Sequence, residues 1–195
     1  MGLLRALLWP FQVWNDVVLK LGRGIAIVAI ALMVIAILVQ VFFRYVLNNA
    51  LPWPDEAARF LMLWLTGLVA PTAYRQGGFV AIDMLAAALG KRAAAVLGLV
   101  LLLIALAVLL VAVPIGWAEV TGFMSRASTA SLYYIDITTG EWEKVPRRWM
   151  MMSLFVGVIL LIIVNVELIL RALITMLGGG DDLRTVPGSS GAVAE

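Results

Sequence analysis

Four long stretches of apolar residues dominate the chain, and the segments between them carry most of the charge. A helix needs roughly 20 apolar residues to cross the hydrocarbon core of a bilayer. Residues 24–43, 56–74, 93–113 and 149–170 reach about that length. Because backbone polar groups inside lipid must be bonded within the chain, each stretch is predicted to be helical. The pattern predicts an all-α integral membrane protein whose domain, residues 24–177, contains four transmembrane helices.

The N-terminal residues 1–23 follow a different pattern. Leucines and aromatic residues recur at helical spacing, and a second stripe at the same period contains Arg5, Gln12, Asp16 and Lys20. This predicts an amphipathic helix lying in the membrane interface and bent at Pro10. A signal peptide is the alternative, but the apolar run is short, is interrupted by Pro10 and is followed by no small-residue cleavage site.

The loop between the third and fourth stretches, residues 115–148, is the longest. Strand-favouring residues flank Thr139 and Gly140, which is compatible with a short hairpin that has Gly in its turn. Two strands alone are marginally stable in water, so such a hairpin would need support from a partner or from the membrane surface. The tail, residues 178–195, is rich in Gly and Ser and is predicted to be disordered.

The distribution of Lys and Arg gives a weak orientation signal. With four spans and an internal N-terminus, eight of the 14 basic residues fall on the cytoplasmic side and six on the other. The positive-inside rule then favours cytoplasmic termini and places the 115–148 loop in the periplasm.

Composition excludes several classes of activity. The chain has no Cys and no His, so it lacks thiol chemistry, the usual haem and zinc ligand and the usual general base. There is also no nucleotide-binding motif and no catalytic dyad. A net charge of +2 is too small to indicate nucleic-acid binding. We therefore expect no enzyme activity, no catalytic residue, no cofactor and no metal site.

One charged stretch interrupts this apolar pattern: "RYVLNNALPWPDEAARFLMLW". Asp55 and Glu56 suit the first turn of a helix, and Arg59 is spaced to neutralise either of them on the same face. These features are explained if the residues only stabilise the start of a helix. Docking of a partner protein and contact with an ion or substrate remain alternatives. The candidate polar cluster consists of Arg44, Tyr45, Trp53, Asp55, Glu56, Arg59 and Trp64.

Glu167 is a carboxylate inside the fourth stretch. Arg171 follows it by one helical turn in the favourable order, so an intrahelical pair is predicted. The alternative is a transporting carboxylate in a small homo-oligomeric exporter.

The residues from Arg44 to Leu85 resemble the signature of the small membrane subunit (DctQ-like) of tripartite ATP-independent periplasmic (TRAP) transporters. An Arg-Tyr pair ends the first span, a Trp and two acids follow, and an Arg and a Trp lie in the second span. A basic residue, a Gly and an Asp come after it. In this chain the latter three are Arg75, Gly77 and Asp83.

The resemblance implies a subunit that does not itself translocate substrate. It implies two protein partners, a large sodium-coupled membrane carrier and a periplasmic substrate-binding protein that captures organic acids, within a bacterial inner membrane. The small subunit would serve as a scaffold and help to dock the binding protein. The candidate docking residues in the long loop are Tyr133, Tyr134, Asp136, Glu141 and Trp142. A membrane anchor of a redox complex remains an alternative, although such anchors commonly hold haem through His.

Overall fold

The computed structural model describes residues 2–77, 91–136 and 140–177 and is mostly helical. Asp83 and the predicted disordered tail lie outside these residues. The described elements follow in chain order: α1 (Gly2–Tyr45), α2 (Trp53–Arg75), α3 (Lys91–Thr121), a 3-10 turn (Phe123–Arg126), β1 (Ser128–Ile135), β2 (Trp142–Pro146) and α4 (Arg148–Met176).

The expected architecture of four spans plus a separate interfacial helix is confirmed only in part. In the described part of the chain, three helical segments are long and apolar enough to cross a membrane: Ala6–Tyr45, Ala93–Thr121 and Arg148–Met176. Helix α2 is long enough, with 23 residues, but it is not among these three segments. The N-terminal segment is not a separate element, because α1 runs without a break from Gly2 through Pro10 to Tyr45.

A buried stripe along α1 explains this continuity. The stripe recurs at alternating spacings of four and three residues, the spacing of a coiled-coil seam. Its buried members are Leu8, Gln12, Asn15, Leu19, Gly22, Ala26, Ala29, Ala36 and Gln40. Small residues let helices approach closely in membranes, and polar ones bond across them. The polar stripe expected to face water therefore points in part into the protein, while Trp9, Trp14 and Leu21 are exposed.

Helix α3 also differs from expectation, because it continues through Pro114 to Thr121 instead of ending near the proline. Proline removes one backbone donor, a loss that membrane helices tolerate. The segment without helix before β1 is accordingly shorter than the predicted loop. No residue in the most apolar stretch of α3 is buried.

The chain divides into two compact units. The first comprises Met1–Leu21, Ala70–Ala112 and Val158–Glu195, and the second comprises Gly22–Val69 and Val113–Gly157.

In the second unit, α2 and α4 meet through two glycines. A Cβ atom added to Gly157 would lie 2.9 Å from the Cα of Gly67, and one added to Gly67 would overlap the carbonyl oxygen of Ser153. The two backbones are therefore in direct contact.

The hairpin in the second unit is also present. Strands β1 and β2 pair antiparallel, with Tyr133 opposite Lys144 and Tyr134 opposite Glu143, and the register shifts between Ser128 and Tyr133. Gly140 adopts a φ of +73° in the turn, a conformation that glycine adopts without strain. Its N–H donates to the carbonyl of Asp136 at 2.7 Å.

Candidate functional site

The first unit contains a buried cluster of charged side chains centred on Glu167. Arg75 donates from Nε to Glu167 Oε2 at 2.9 Å and from Nη2 to Oε1 at 2.8 Å, which is a bidentate guanidinium–carboxylate pair. Arg171 Nε donates to Glu167 Oε1 at 2.9 Å, and Asn15 Nδ2 donates to Oε2 at 2.6 Å. Arg75 Nη1 also donates to Asp16 Oδ1 at 2.6 Å. Residues of α1, α2 and α4 are thus joined.

Among the side chains that the structure describes, the charges of this cluster balance and its hydrogen bonds are numerous. It contains two guanidinium groups, Arg75 and Arg171, and two carboxylates, Asp16 and Glu167. The Glu167 side chain is 0% exposed and accepts four hydrogen bonds, which occupies the acceptor sites of a carboxylate. Desolvation of a charge is costly, so an ion pair this deep is stable only with this degree of bonding. No acceptor site of the Glu167 carboxylate is therefore left vacant.

The sequence indicated only one of these contacts. The Glu167–Arg171 pair lies one turn apart on α4 and is visible from spacing alone. The sequence indicates Arg75 only as part of a family motif and Asp16 only as part of the polar stripe of the N-terminal segment, and it contains no signal for Asn15. Their partners lie far away in sequence, so local periodicity contains no signal for them.

In the second unit, Glu56 holds the hairpin against the start of α2. Its Oε1 accepts from the Ala130 N–H at 3.0 Å, and its Oε2 accepts from the Ser131 N–H at 2.7 Å. The Ser131 hydroxyl lies 2.6 Å from Glu56 Oε2 and 3.0 Å from the Pro52 carbonyl, and its single proton is donated to one of them at a time. Burial alone raises the pKa of Glu56, but the bonds from Ser131 and Ala130 outweigh burial and hold the pKa below its ordinary value.

Two further contacts support the hairpin within this unit. The Arg147 N–H donates to the Ala127 carbonyl at 3.0 Å. The ring of Tyr134 lies 5.2 Å from that of Trp149, at the start of α4. The two-stranded ribbon therefore rests on α2 and α4, which supplies the support that a lone hairpin lacks.

An open cavity of about 830 Å³ lies beside this anchor. The charged residues of its wall are Asp55, Glu56, Arg59 and Arg147. Trp53 and Tyr133 contribute aromatic rings to the same wall. The cavity is therefore a recess with both signs of charge, formed where α2 and α4 begin.

The structure does not join the candidate polar cluster into one network. Glu56 bonds to β1, whereas Arg59 lines the cavity, and no ion pair joins the two within the described residues. Asp55 accepts a long hydrogen bond of 3.4 Å from Gln40 of α1. Trp64 packs against Phe60 with ring centroids 6.5 Å apart.

The remaining candidates lie apart from these contacts. Arg44 is exposed and its guanidinium lies 5.7 Å from the neighbouring Tyr45 ring. Gly77 follows α2 with a φ of +94°. At the hairpin end, the Asp136 N–H donates to the Glu141 carbonyl at 3.0 Å, and Trp142 is exposed.

Tyr134 has an additional polar contact on the hairpin. Its hydroxyl donates to Glu143 Oε2 at 3.0 Å, and this bond is the main cause of a raised pKa for the Tyr134 phenol. Among the residues that the structure describes, no group of three or more acidic, His or Cys side chains is placed to hold a metal ion.

Comparison with protein families identifies the chain. The family model for the DctQ component of tripartite ATP-independent periplasmic transporters matches residues 33–175. The chain belongs to the DctQ family. It is the small membrane subunit of a TRAP transporter, a multi-pass membrane protein and not an enzyme. No curated protein matches the chain.

The matched range places the two sites within the DctQ chain. It includes Glu56, the hairpin that Glu56 holds, and the Arg75, Glu167 and Arg171 side chains of the buried cluster. Asn15 and Asp16, which complete that cluster, lie before the matched range. Membership implies a complex with a large membrane subunit, DctM, and a substrate-binding protein, DctP.

Proposed function

We propose that this DctQ subunit is a non-translocating scaffold for DctM that also helps to dock DctP through its hairpin. In this arrangement α2 crosses the membrane as a fourth, less apolar span, so that both termini are cytoplasmic and the hairpin is periplasmic. Sodium-coupled uptake of an organic acid takes place in DctM. The substrate itself would be recognised by DctP and DctM.

The observation that supports this proposal best is the saturation of Glu167. A group that carries a proton or an ion must release its ligands and accept them again. Among the described residues, Glu167 has a fully buried carboxylate. Its two oxygens accept hydrogen bonds from side chains of three helices, α1, α2 and α4. This arrangement favours a rigid body and disfavours the small-exporter alternative, in which Glu167 would titrate during transport.

The exposed apolar surface supports a scaffold as well. Helix α3 buries none of its most apolar stretch within the chain, and α1 leaves large apolar side chains exposed along its length. Surfaces of this kind are covered by lipid or by another membrane subunit. Membership of the DctQ family indicates that this membrane subunit is DctM.

Docking through the hairpin can be tested with a pair of exposed tryptophans. Trp142 on β2 is 69% exposed, and Trp9 on α1 is 68% exposed, so a change to alanine removes a similar surface from each. We expect Trp142→Ala to weaken capture of DctP by the purified DctQ–DctM complex, whereas Trp9→Ala leaves capture unchanged. Equal capture by both variants, with DctM bound normally, would refute a docking role for this part of the hairpin.

Orientation can be tested independently because the chain has no Cys. Single cysteines replacing Ser128 on β1 and Leu177 after α4 both occupy exposed positions. On intact spheroplasts, a membrane-impermeant maleimide should label Ser128→Cys and spare Leu177→Cys until the membrane is opened. The reverse pattern would invert the proposed topology.

A further inference from the structure

The cavity beside Glu56 contains charged groups that the fold does not use. Within the described part of the chain, neither Arg59 nor Arg147 makes an ion pair or a side-chain hydrogen bond. Asp55 has only the 3.4 Å contact with Gln40, which is long for a charge-assisted hydrogen bond. Glu56, in contrast, is occupied by three donors from β1. The groups left over are two guanidiniums and one carboxylate.

The position of the cavity along the chain restricts what can enter it. Arg147 immediately precedes α4, whose residues Arg148–Met176 form a candidate membrane span. The wall also contains Trp53 and Tyr133, and such aromatic side chains are typical of the membrane–water interface. The cavity therefore lies at one end of a span, at the level of the lipid headgroups.

The unused charges match one common headgroup. A phosphodiester is a monoanion that guanidinium groups recognise well, because their planar donors fit its oxygens. A primary ammonium carries three donors, for which the Asp55 carboxylate is an acceptor. Phosphoethanolamine contains both groups, separated by two carbon atoms. A purely anionic headgroup would leave Asp55 unpaired and repelled.

We propose that this cavity binds the phosphoethanolamine headgroup of a membrane phospholipid, with Arg59 and Arg147 on the phosphate and Asp55 on the ammonium. The bound lipid would then lie against the anchored base of the hairpin. This inference concerns a lipid ligand and does not depend on docking of DctP.

The experiment uses the DctQ–DctM complex in nanodiscs that contain equal amounts of phosphatidylethanolamine, phosphatidylcholine and phosphatidylglycerol. After transfer to mild detergent, native mass spectrometry counts the lipids that the complex retains. We expect preferential retention of phosphatidylethanolamine, by about tenfold, since loss of one charge-assisted hydrogen bond corresponds to roughly that factor. The quaternary ammonium of phosphatidylcholine has no N–H to donate to Asp55.

The variants separate the roles of the three side chains. Arg59→Gln and Arg147→Gln should each reduce retention of phosphatidylethanolamine, while Asp55→Asn should keep a bound phospholipid but abolish the preference over phosphatidylcholine. Arg148→Gln is the matched control, because Arg148 is an exposed neighbour that does not line the cavity. All four changes are on exposed side chains, and an unchanged elution profile verifies that each complex is assembled.

Three results would overturn the proposal. Equal retention of the three lipids by the unaltered complex would show that the cavity does not select this headgroup. Equal losses in Arg148→Gln and Arg147→Gln would show a general effect of surface charge. Loss of DctP capture in Arg59→Gln, with no lipid retained by the unaltered complex, would assign the cavity to a protein side chain instead.

Discussion

Replacement of Arg75 by methionine tests the electrostatic account of the buried cluster. The Arg75 side chain is 5% exposed, and its removal deletes three hydrogen bonds to the carboxylates of Glu167 and Asp16. The cluster then has one cation and two carboxylates, so a net negative charge remains inside the protein. Loss of one partner from a buried ion pair costs about 3–5 kcal/mol, and we expect a decrease of that size in the free energy of unfolding.

The double-mutant cycle with Glu167→Gln sharpens this prediction. Glu167→Gln alone leaves a net positive charge in the cluster and should be destabilising to a comparable extent. In the double variant Arg171 and Asp16 remain, so the net charge of the cluster returns to zero. We expect the double variant to lose less stability than the sum of the single ones, by roughly 1–3 kcal/mol, as found for residues in one network.

The free energies can be measured by unfolding the purified protein in mixed micelles with increasing SDS, followed by tryptophan fluorescence. Arg148→Met is the control, because Arg148 is exposed and a surface change typically stays within about 0.5 kcal/mol. If the two single effects add within about 0.5 kcal/mol, Arg75 and Glu167 act independently and the charge-balance argument fails.

Three further predictions concern the second unit. Gly67→Ala should lower stability by about 1–3 kcal/mol through overpacking, whereas Gly98→Ala, where an added Cβ meets no atom within 4 Å, should not; equal melting temperatures would refute the backbone contact. Because the pKa of Glu56 is lowered, the stability it contributes is complete above its ordinary pKa and is lost as pH falls through the lowered one. Proteolysis of the hairpin should therefore increase in acid, and Glu56→Gln should remove that dependence. The Tyr134 phenol should titrate above its ordinary pKa, and ultraviolet absorbance should show a return toward that value in Glu143→Gln.

Much of the secondary structure could be predicted because it depends on local composition. The apolar stretches 93–113 and 149–170 lie within α3 and α4, and Gly140 occupies the turn of the hairpin. The ends were less predictable, since Pro114 does not end α3. The partners of the acidic residues were not predictable, because Glu56 bonds to residues 74 and 75 positions away and Glu167 to residues 92 and 152 positions away.

The prediction of a separate interfacial helix at the N-terminus is wrong because lipid, unlike water, is a suitable environment for the apolar side of a helix. In water, a stripe such as Gln12, Asn15 and Asp16 faces outward, and the apolar side of the helix is buried. In a membrane protein the apolar side has lipid as a suitable environment, so polar groups gain most by bonding to other helices. Helix α1 behaves as expected for a membrane protein: Asn15 bonds to a buried carboxylate, while Trp14 beside it is exposed.

The same preference for bonds between helices applies to the charged residues of α2 and α4. A charge inside a membrane span is a candidate for transport by default. Glu167 satisfies that criterion from sequence alone, yet its carboxylate is occupied by Arg171 on the same helix and by Arg75 and Asn15 on other helices. The distinction lies in the number of donors around each oxygen: a transporting carboxylate needs a vacant acceptor site, and Glu167 accepts four bonds. Charge balance and the four accepted bonds thus support our proposal that Glu167 and its partners make the subunit rigid. The charged groups with few bonds, Arg59, Arg147 and Asp55, lie instead in the cavity beside the hairpin.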